Sequence, residues 1–154
     1  MRLQGRKAFI TGAAKGIGLS VAQAFAAEGA AVALADISGE ESREQSLDIS
    51  EIFGVNAIGV ECDVADSKSV ENAIATAAKT FDGVDTIACM AATLTQRLDV
   101  VDLPEEDWDN TLRVNLTGSF LVCKHGIPLL RKAGGGSIIP VSYTHLTLPT
   151  KRIV

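Results

Sequence analysis

The chain has 154 residues, of which 47% are apolar and 21% are charged, and its formal net charge is -5. This composition excludes a disordered chain and provides for one hydrophobic core. The negative charge, without any block of Lys and Arg, argues against binding to nucleic acid or to an anionic membrane, so we expect a small-molecule partner. No apolar run approaches the roughly eighteen residues of a membrane span, and the first residues lack a signal-peptide core, which predicts a cytoplasmic protein.

Short apolar segments alternate with helical patterns along the chain. They predict five buried strands, at residues 6–11, 31–36, 57–62, 84–90 and 137–142. The first helix is predicted to bury one apolar face, made of Ile17, Val21, Ala24 and Phe25. The second should begin with a capping box formed by Ser38 and Glu41 and should end near Phe53.

The second half of the chain continues the alternation. A third helix is predicted to pack through an apolar face made of Val70, Ile74, Ala77, Ala78 and Phe81. Pro104 is expected to open a long fourth helix that runs towards Leu130. Strands separated by helices predict a doubly wound, Rossmann-like α/β domain with a parallel sheet of strand order 3-2-1-4-5. Its ligand crevice should lie beyond the carboxyl ends of strands one and four.

Cysteine and histidine usage gives no sign of a disulfide framework or a metal site. Cys62, Cys89 and Cys123 are far apart and lie in apolar stretches, so we expect buried, reduced thiols. His125 and His145 have no acidic or thiol partner at ligand spacing, and no metal is expected.

A glycine-rich turn, TGAAKGIG at residues 11–18, joins the first strand to the first helix. Gly12 permits a tight turn, Gly16 lets the backbone approach a diphosphate, and Gly18 allows close packing of the helix. The amino terminus of the helix favours negative charge. We therefore predict that this turn binds the diphosphate of a dinucleotide, with Lys15 and Ile17 among the contacting residues.

Asp36 ends the second strand, eighteen residues after Gly18. A carboxylate at this place can accept hydrogen bonds from both hydroxyls of an adenosine ribose, and it would repel a 2′-phosphate. This predicts NAD as the preferred cofactor, with NADP less favoured. Lys15 indicates the opposite preference if its ammonium pairs with that phosphate; the alternative is a solvated side chain.

The spacing of the three glycines is wider than the usual Gly-x-Gly-x-x-Gly, and it resembles the TGxxxGxG turn of the short-chain dehydrogenase/reductase family. Asp63 and Val64, after the third strand, look like the family's adenine-contacting pair, and the segment DWDNTLRVNLTGSF at 107–120 is similar to its long fourth helix. The resemblance covers residues 1–142. It implies transfer of hydride between a nicotinamide and an alcohol or carbonyl carbon.

Two further positions carry the resemblance. Asn115 matches the asparagine that helps to order a water and a lysine in the family's proton relay, which implies a catalytic role; the alternative is an exposed helical asparagine. The family's NNAG segment is replaced here by CMAA, residues 89–92. Since cofactor contact there is made largely through the backbone, the resemblance still implies contact at Cys89 and Ala91, with the side chains of Cys89 and Met90 acting as packing.

The remaining catalytic residues of the family have no match. Tyr143 is the only tyrosine, Thr147 stands where a lysine should follow it, and Tyr143 itself occupies the place of the substrate-holding serine. We therefore expect a truncated dinucleotide-binding domain over 1–142, without the later strands, followed by a tail at 143–154 that is unrelated to the fold. An unpaired fifth strand would then favour aggregation.

Two functional hypotheses follow. The first is an NAD(H)-dependent oxidoreductase of the short-chain type that acts on an alcohol/carbonyl pair, its parent protein forming a homo-oligomer as family members commonly do. The second is an NAD-binding module or fragment without turnover. A sugar-nucleotide epimerase would need a larger carboxyl-terminal domain, and the sequence leaves the substrate open.

Overall fold

The computed structural model describes residues 1–94 and 98–141. Its five strands form one parallel sheet in the order β3-β2-β1-β4-β5. The strands are β1 (Lys7–Thr11), β2 (Ala31–Asp36), β3 (Ala57–Glu61), β4 (Thr86–Cys89) and β5 (Ser137–Pro140). This confirms the predicted Rossmann-like fold and its strand order. The predicted tail at 143–154 lies outside the described residues, as does Ser142 at the end of the predicted fifth strand.

Helices connect the strands. They are α1 (Gly16–Ala27), α2 (Gly39–Phe53), α3 (Ser67–Phe81), α4 (Glu105–Thr111) and α5 (Gly118–Lys132). A π-helical segment, Leu112–Thr117, joins α4 to α5, so that the predicted long helix is continuous. Pro104 immediately precedes it, as predicted. In the part of the chain that the structure describes, no helix has the length and apolar character needed to span a membrane.

Both faces of the sheet are covered, because successive side chains of a buried strand point to opposite sides. Phe9 packs in a core with Ile74, Ile87 and Val122, on the side of α3 and α5. Its neighbour Ile10 packs on the other side, with residues of α1 and α2 that include Ala22, Ala26 and Ile49. These two layers define the doubly wound arrangement.

The buried face predicted for α1 is confirmed in part, since Val21 and Phe25 are half-buried and pack against the core on this side of the sheet. Ile17 is 55% exposed and Ala24 is also exposed, whereas the buried residues of the helix are Gly18, Ala22 and Ala26. A Cβ atom on Gly18 would collide with the carbonyl of Gly12, so the helix lies very close to the turn that precedes it. Close approach requires small residues on the inner face, and the larger side chains are turned outward or sideways.

The predicted capping box at α2 is also not formed. Ser38 is the N-cap residue, but its side chain makes no capping hydrogen bond. Its backbone N–H instead donates to Oδ1 of Asp36 at 3.1 Å. The carboxylates of Glu40 and Glu41 in the first turn lie at the positive end of the helix, where they are favourable.

Candidate cofactor-binding site

A cleft of about 870 Å³ opens at the carboxyl edge of the sheet. Thr11 is in register with Ala35 on one side and with Cys89 on the other, so the strands β2, β1 and β4 end at the same level. The cleft is bounded by the glycine turn, by the loops after β2, β3 and β4, and by α4 with the π-helical segment. It lies where the winding changes direction between β1 and β4, which is the usual ligand position in open parallel sheets.

The glycine turn has the backbone conformation that its sequence predicts. Gly12 and Gly16 have φ angles of +64° and +61°, in the left-handed region that favours glycine. A Cβ atom on Gly12 would lie 2.7 Å from Cα of Ala91, whereas one on Gly16 would meet nothing within 4 Å. Gly12 therefore allows the segment that follows β4 to approach the turn, and Gly16 leaves open space above it.

The amino terminus of α1 offers N–H groups to an anion. Its N-cap, Lys15, makes no side-chain capping bond, and the first turn contains no acidic residue. Unpaired N–H groups and the helix dipole together favour a phosphate at this position. The exposed side chains of Lys15 and Ile17 both border the cleft.

Asp36 links the turn to the loop after β2. Its Oδ2 accepts a hydrogen bond from the N–H of Ala14 at 3.2 Å, and its Oδ1 accepts one from the N–H of Ser38 at 3.1 Å. These bonds fix the half-buried carboxylate at the cleft wall. Each oxygen keeps a further lone pair with which to accept from a ligand.

Asp63 and Val64 form the next part of the wall. Oδ1 of Asp63 accepts from the N–H of Ala65 at 2.9 Å, and its own N–H donates to Oγ of Ser69 at 2.9 Å. Val64 is 7% exposed and contacts Gly118, where a Cβ atom would lie 2.9 Å from the valine methyl. The loop is therefore held in place from both α3 and α5.

Two thiols lie close to the site. Cys62 borders the cleft although it is buried, and burial raises the pKa of its thiol to about 12, with a smaller effect from the carboxylates of Asp63 and Asp36. Burial likewise raises the pKa of Cys89 to about 12, with a smaller effect from Cys123. Both thiols stay protonated and are poor nucleophiles. Cys89 packs in the core beneath the cleft and does not border it; Met90 and Ala91 do.

A buried threonine hydroxyl positions the end of β4. Oγ1 of Thr11 accepts from the N–H groups of Met90 and Ala91, at 3.1 and 3.2 Å. Thr11 is 1% exposed, so these bonds are shielded from water. Sequence reasoning overlooked this role, because nothing in the chain near Thr11 indicates a partner some eighty residues away.

Asn115 lies in the π-helical segment, and its side chain does not border the cleft. Its Nδ2 donates to the carbonyl of Thr93 at 2.9 Å, and its Oδ1 accepts from the N–H of the same residue at 2.8 Å. This paired contact fixes the backbone that leaves β4. In the described residues the amide of Asn115 thus acts as a positioning group.

Three residues of the same helical wall border the cleft without having been predicted: Asn110, Arg113 and Val114. Their spacing of three and four residues places them on one helix face. That spacing was visible in the sequence, but the direction of the face depends on the π-helical turn, which no pattern indicated.

The fold and the site agree with what comparison of the sequence finds. A family model described as enoyl-(acyl carrier protein) reductase matches residues 12–151. The chain belongs to the short-chain dehydrogenase/reductase family. Proteins of this family that are similar to the chain are oxidoreductases that use NAD or NADP, and the dehydrogenases named among them act on small-molecule substrates.

Several curated short-chain dehydrogenases are similar to the chain. D-threitol dehydrogenase of Mycolicibacterium smegmatis is 37% identical over 138 residues, which cover 90% of this chain and 52% of that protein. The 3-oxoacyl-[acyl-carrier-protein] reductase FabG of Aquifex aeolicus is 31% identical over 92% of this chain and 57% of its own length. The 2,5-dichloro-2,5-cyclohexadiene-1,4-diol dehydrogenase LinX of Sphingobium indicum is 37% identical over 97% of this chain and 59% of its own length. The chain thus spans a little over half the length of these relatives.

Proposed function

We propose that the chain supplies the dinucleotide-binding part of an NAD(H)-dependent oxidoreductase that acts on an alcohol/carbonyl pair. The observation that carries the proposal is the placing of the Asp36 carboxylate beside the glycine turn, through its bond to the N–H of Ala14. A diphosphate at the amino terminus of α1 would extend its adenosine ribose towards Asp36, and its base towards Asp63 and Val64. Ala91, across the turn from Gly12, would lie towards the nicotinamide.

The same carboxylate supports a preference for NAD over NADP. A 2′-phosphate would lie against Asp36, with Glu41 also on the cleft wall, and like charges in a confined site are costly. Lys15 is the one cation of the glycine turn, and its exposed side chain is solvated. We expect its attraction for a phosphate to be weaker than the repulsion from Asp36.

Calorimetric titration with NADH and NADPH tests the proposal. We expect the wild-type protein to bind NADH at least about tenfold more tightly than NADPH, a difference of about 1.4 kcal/mol. Asp36→Asn should weaken the binding of NADH. It should also reduce the ratio of the NADH affinity to the NADPH affinity, because the amide has no charge to repel a phosphate. Glu40→Gln is a matched control, since Glu40 is exposed in the first turn of α2 and does not border the cleft. Tighter binding of NADPH by the wild type would contradict the assignment.

A second function, dinucleotide binding without turnover, is favoured by one sequence observation. The single tyrosine, Tyr143, is followed four residues later by Thr147, so the 154 residues contain no Tyr-x-x-x-Lys. We propose that this chain alone binds NADH and does not oxidise it. An absorbance assay of NADH with a panel of ketones and aldehydes separates the two functions, because sustained oxidation by this chain would exclude the second.

We also propose that the protein acts as a homo-oligomer. Four large apolar side chains at four-residue spacing are exposed along the helical stretch from α4 to α5: Trp108, Leu112, Leu116 and Phe120. Such a stripe is typical of a surface that packs against another helix. Leu116→Glu should lower the mass measured by sizing chromatography with light scattering, and a wild type that is monomeric at all concentrations would contradict the proposal.

A further inference from the structure

Arg113 lies on the helical wall of the cleft, on a different element from the glycine turn and from the loops that carry Asp36 and Asp63. It borders the cleft from the π-helical segment, together with Asn110 and Val114. Gly118, one turn after Val114, packs against Val64. This wall therefore stands beside the loop that carries the proposed adenine-contacting residues, at the adenosine end of the cleft.

The π-helical turn gives this wall its orientation. A π-helical turn closes its hydrogen bond five residues along the chain instead of four, and such widened turns are frequent at functional sites. Here Arg113 and Val114 border the cleft, while the next residue, Asn115, is held by the backbone of Thr93. The two hydrogen bonds between Asn115 and Thr93 fix the π-helical turn, and with it the direction in which the side chain of Arg113 leaves the helix.

The guanidinium of Arg113 is oriented without being neutralised. Its Nη2 donates to Oδ1 of Asn110 at 3.2 Å. Across residues 1–94 and 98–141 the ion pairs are Arg2 with Glu28 and Lys68 with Glu71, and Arg113 takes part in neither. The side chain is exposed. Its planar cationic group is thus available to a ligand in the cleft.

The two carboxylates at this end of the cleft suit the edges of an adenosine, not its ring face. Asp36 and Asp63 present carboxylate oxygens, which accept hydrogen bonds from ribose hydroxyls and from an amino group. A guanidinium differs from them because it is flat and stacks on aromatic rings. We propose that Arg113 binds the dinucleotide by stacking its guanidinium on the adenine ring. This inference rests on the proposed NAD(H) binding.

Titration with ADP-ribose tests the stacking separately from the nicotinamide. ADP-ribose carries the adenine and the diphosphate and lacks the nicotinamide, and calorimetry measures its affinity without any turnover. Arg113→Ala should weaken the binding of both ADP-ribose and NADH by about three- to tenfold, the range expected for loss of one cation–π contact. Arg113→Lys should also weaken binding of both ligands, but by a smaller factor, because an ammonium keeps the cation–π attraction and has no plane with which to stack.

Two controls make the outcome specific. Arg43→Ala removes an exposed arginine from α2, outside the cleft, and should leave both affinities within twofold of the wild type. Thermal unfolding should show that all variants fold, since Arg113 is exposed and makes one side-chain bond; Arg113→Gln provides a second neutral variant should Arg113→Ala unfold.

The possible failures are distinguishable. If the wild type binds ADP-ribose while Arg113→Ala binds it equally well, or if Arg113→Lys keeps the full affinity, the stacking is overturned and the proposed function stands. If the wild type binds neither ADP-ribose nor NADH, the proposed function fails and the inference fails with it.

Discussion

The two sides of the cleft are held in place in different ways. On the side of β1 to β3, each carboxylate bonds to backbone N–H groups of its own loop or of the adjoining turn: Asp36 to Ala14 and Ser38, and Asp63 to Ala65. On the side of β4, the backbone is fixed by side chains from remote elements, Thr11 of β1 and Asn115 of the π-helical segment. Apart from the contact of Val64 with Gly118 of α5, the first side is therefore specified by short motifs, whereas the second exists only after the sheet and the long helix have assembled.

Disrupting the close packing at the glycine turn should have the largest effect on stability. In Gly18→Ala the new methyl group would collide with the Gly12 carbonyl, and backbone cannot move aside as a flexible side chain can. We expect the free energy of unfolding to fall by about 3 kcal/mol, the upper part of the range for overpacking, and NADH binding to be lost. Urea denaturation and calorimetry measure the two effects.

Gly16→Ala is the matched control for that variant. A methyl group there meets nothing within 4 Å, so the cost is limited to the left-handed conformation at φ +61°, about 1 kcal/mol. Equal losses of stability in the two alanine variants would show that contact with the Gly12 carbonyl does not determine the effect.

Loss of the Thr11 hydroxyl, which fixes the side of the cleft at β4, should have the next largest effect on stability, because two buried N–H groups depend on it. Thr11→Val preserves the shape of the side chain but leaves the N–H groups of Met90 and Ala91 without their acceptor. We expect a loss of about 2 kcal/mol in the free energy of unfolding, as for unsatisfied buried donors. Thr11→Ser keeps the acceptor and should recover most of this loss; a serine variant as unstable as the valine variant would contradict the role of the hydroxyl.

A smaller loss is expected at Asn115. Asn115→Leu removes both hydrogen bonds to the backbone of Thr93, but the site is only partly buried, so water can replace them in part. We expect a loss of about 1 kcal/mol in stability, measured by urea denaturation. Ser119→Ala, which removes a hydroxyl that bonds to the Asn115 carbonyl, is the neighbouring control and should cost less. An Asn115→Leu protein as stable as the wild type would show that the paired contact does not hold the loop.

The two sides of the cleft also differ in how well the sequence predicts them. The glycine turn and Asp36 were predictable because each requirement is local: a left-handed φ angle, a helix terminus, a carboxylate at a strand end. The apolar face of α1 was predicted correctly at Val21 and Phe25, which pack against the core. It was wrong at Ile17 and Ala24, because the closeness of Gly18 to Gly12 turns the side of the helix with Gly18, Ala22 and Ala26 inward. The contribution of Arg113 to the cleft depends on a π-helical turn, which has no pattern of its own in the sequence.

The smallest effect is expected at α2, away from both sides of the cleft, and it should have the opposite sign. Ser42 is fully buried where α2 packs against Gly59 of β3, and its hydroxyl has no hydrogen-bond partner among the described residues. Ser42→Ala removes this unpaired group and places a better helix former at the position, so the free energy of unfolding should rise by up to about 1 kcal/mol, with NADH affinity unchanged. Ser46→Ala is the control, since the hydroxyl of Ser46 donates to the carbonyl of Arg43 at 2.8 Å and its removal should give no such gain. A loss of stability in Ser42→Ala measured by urea denaturation would mean that its hydroxyl has a partner, and that α2 and β3 approach each other for a polar reason as well as a steric one.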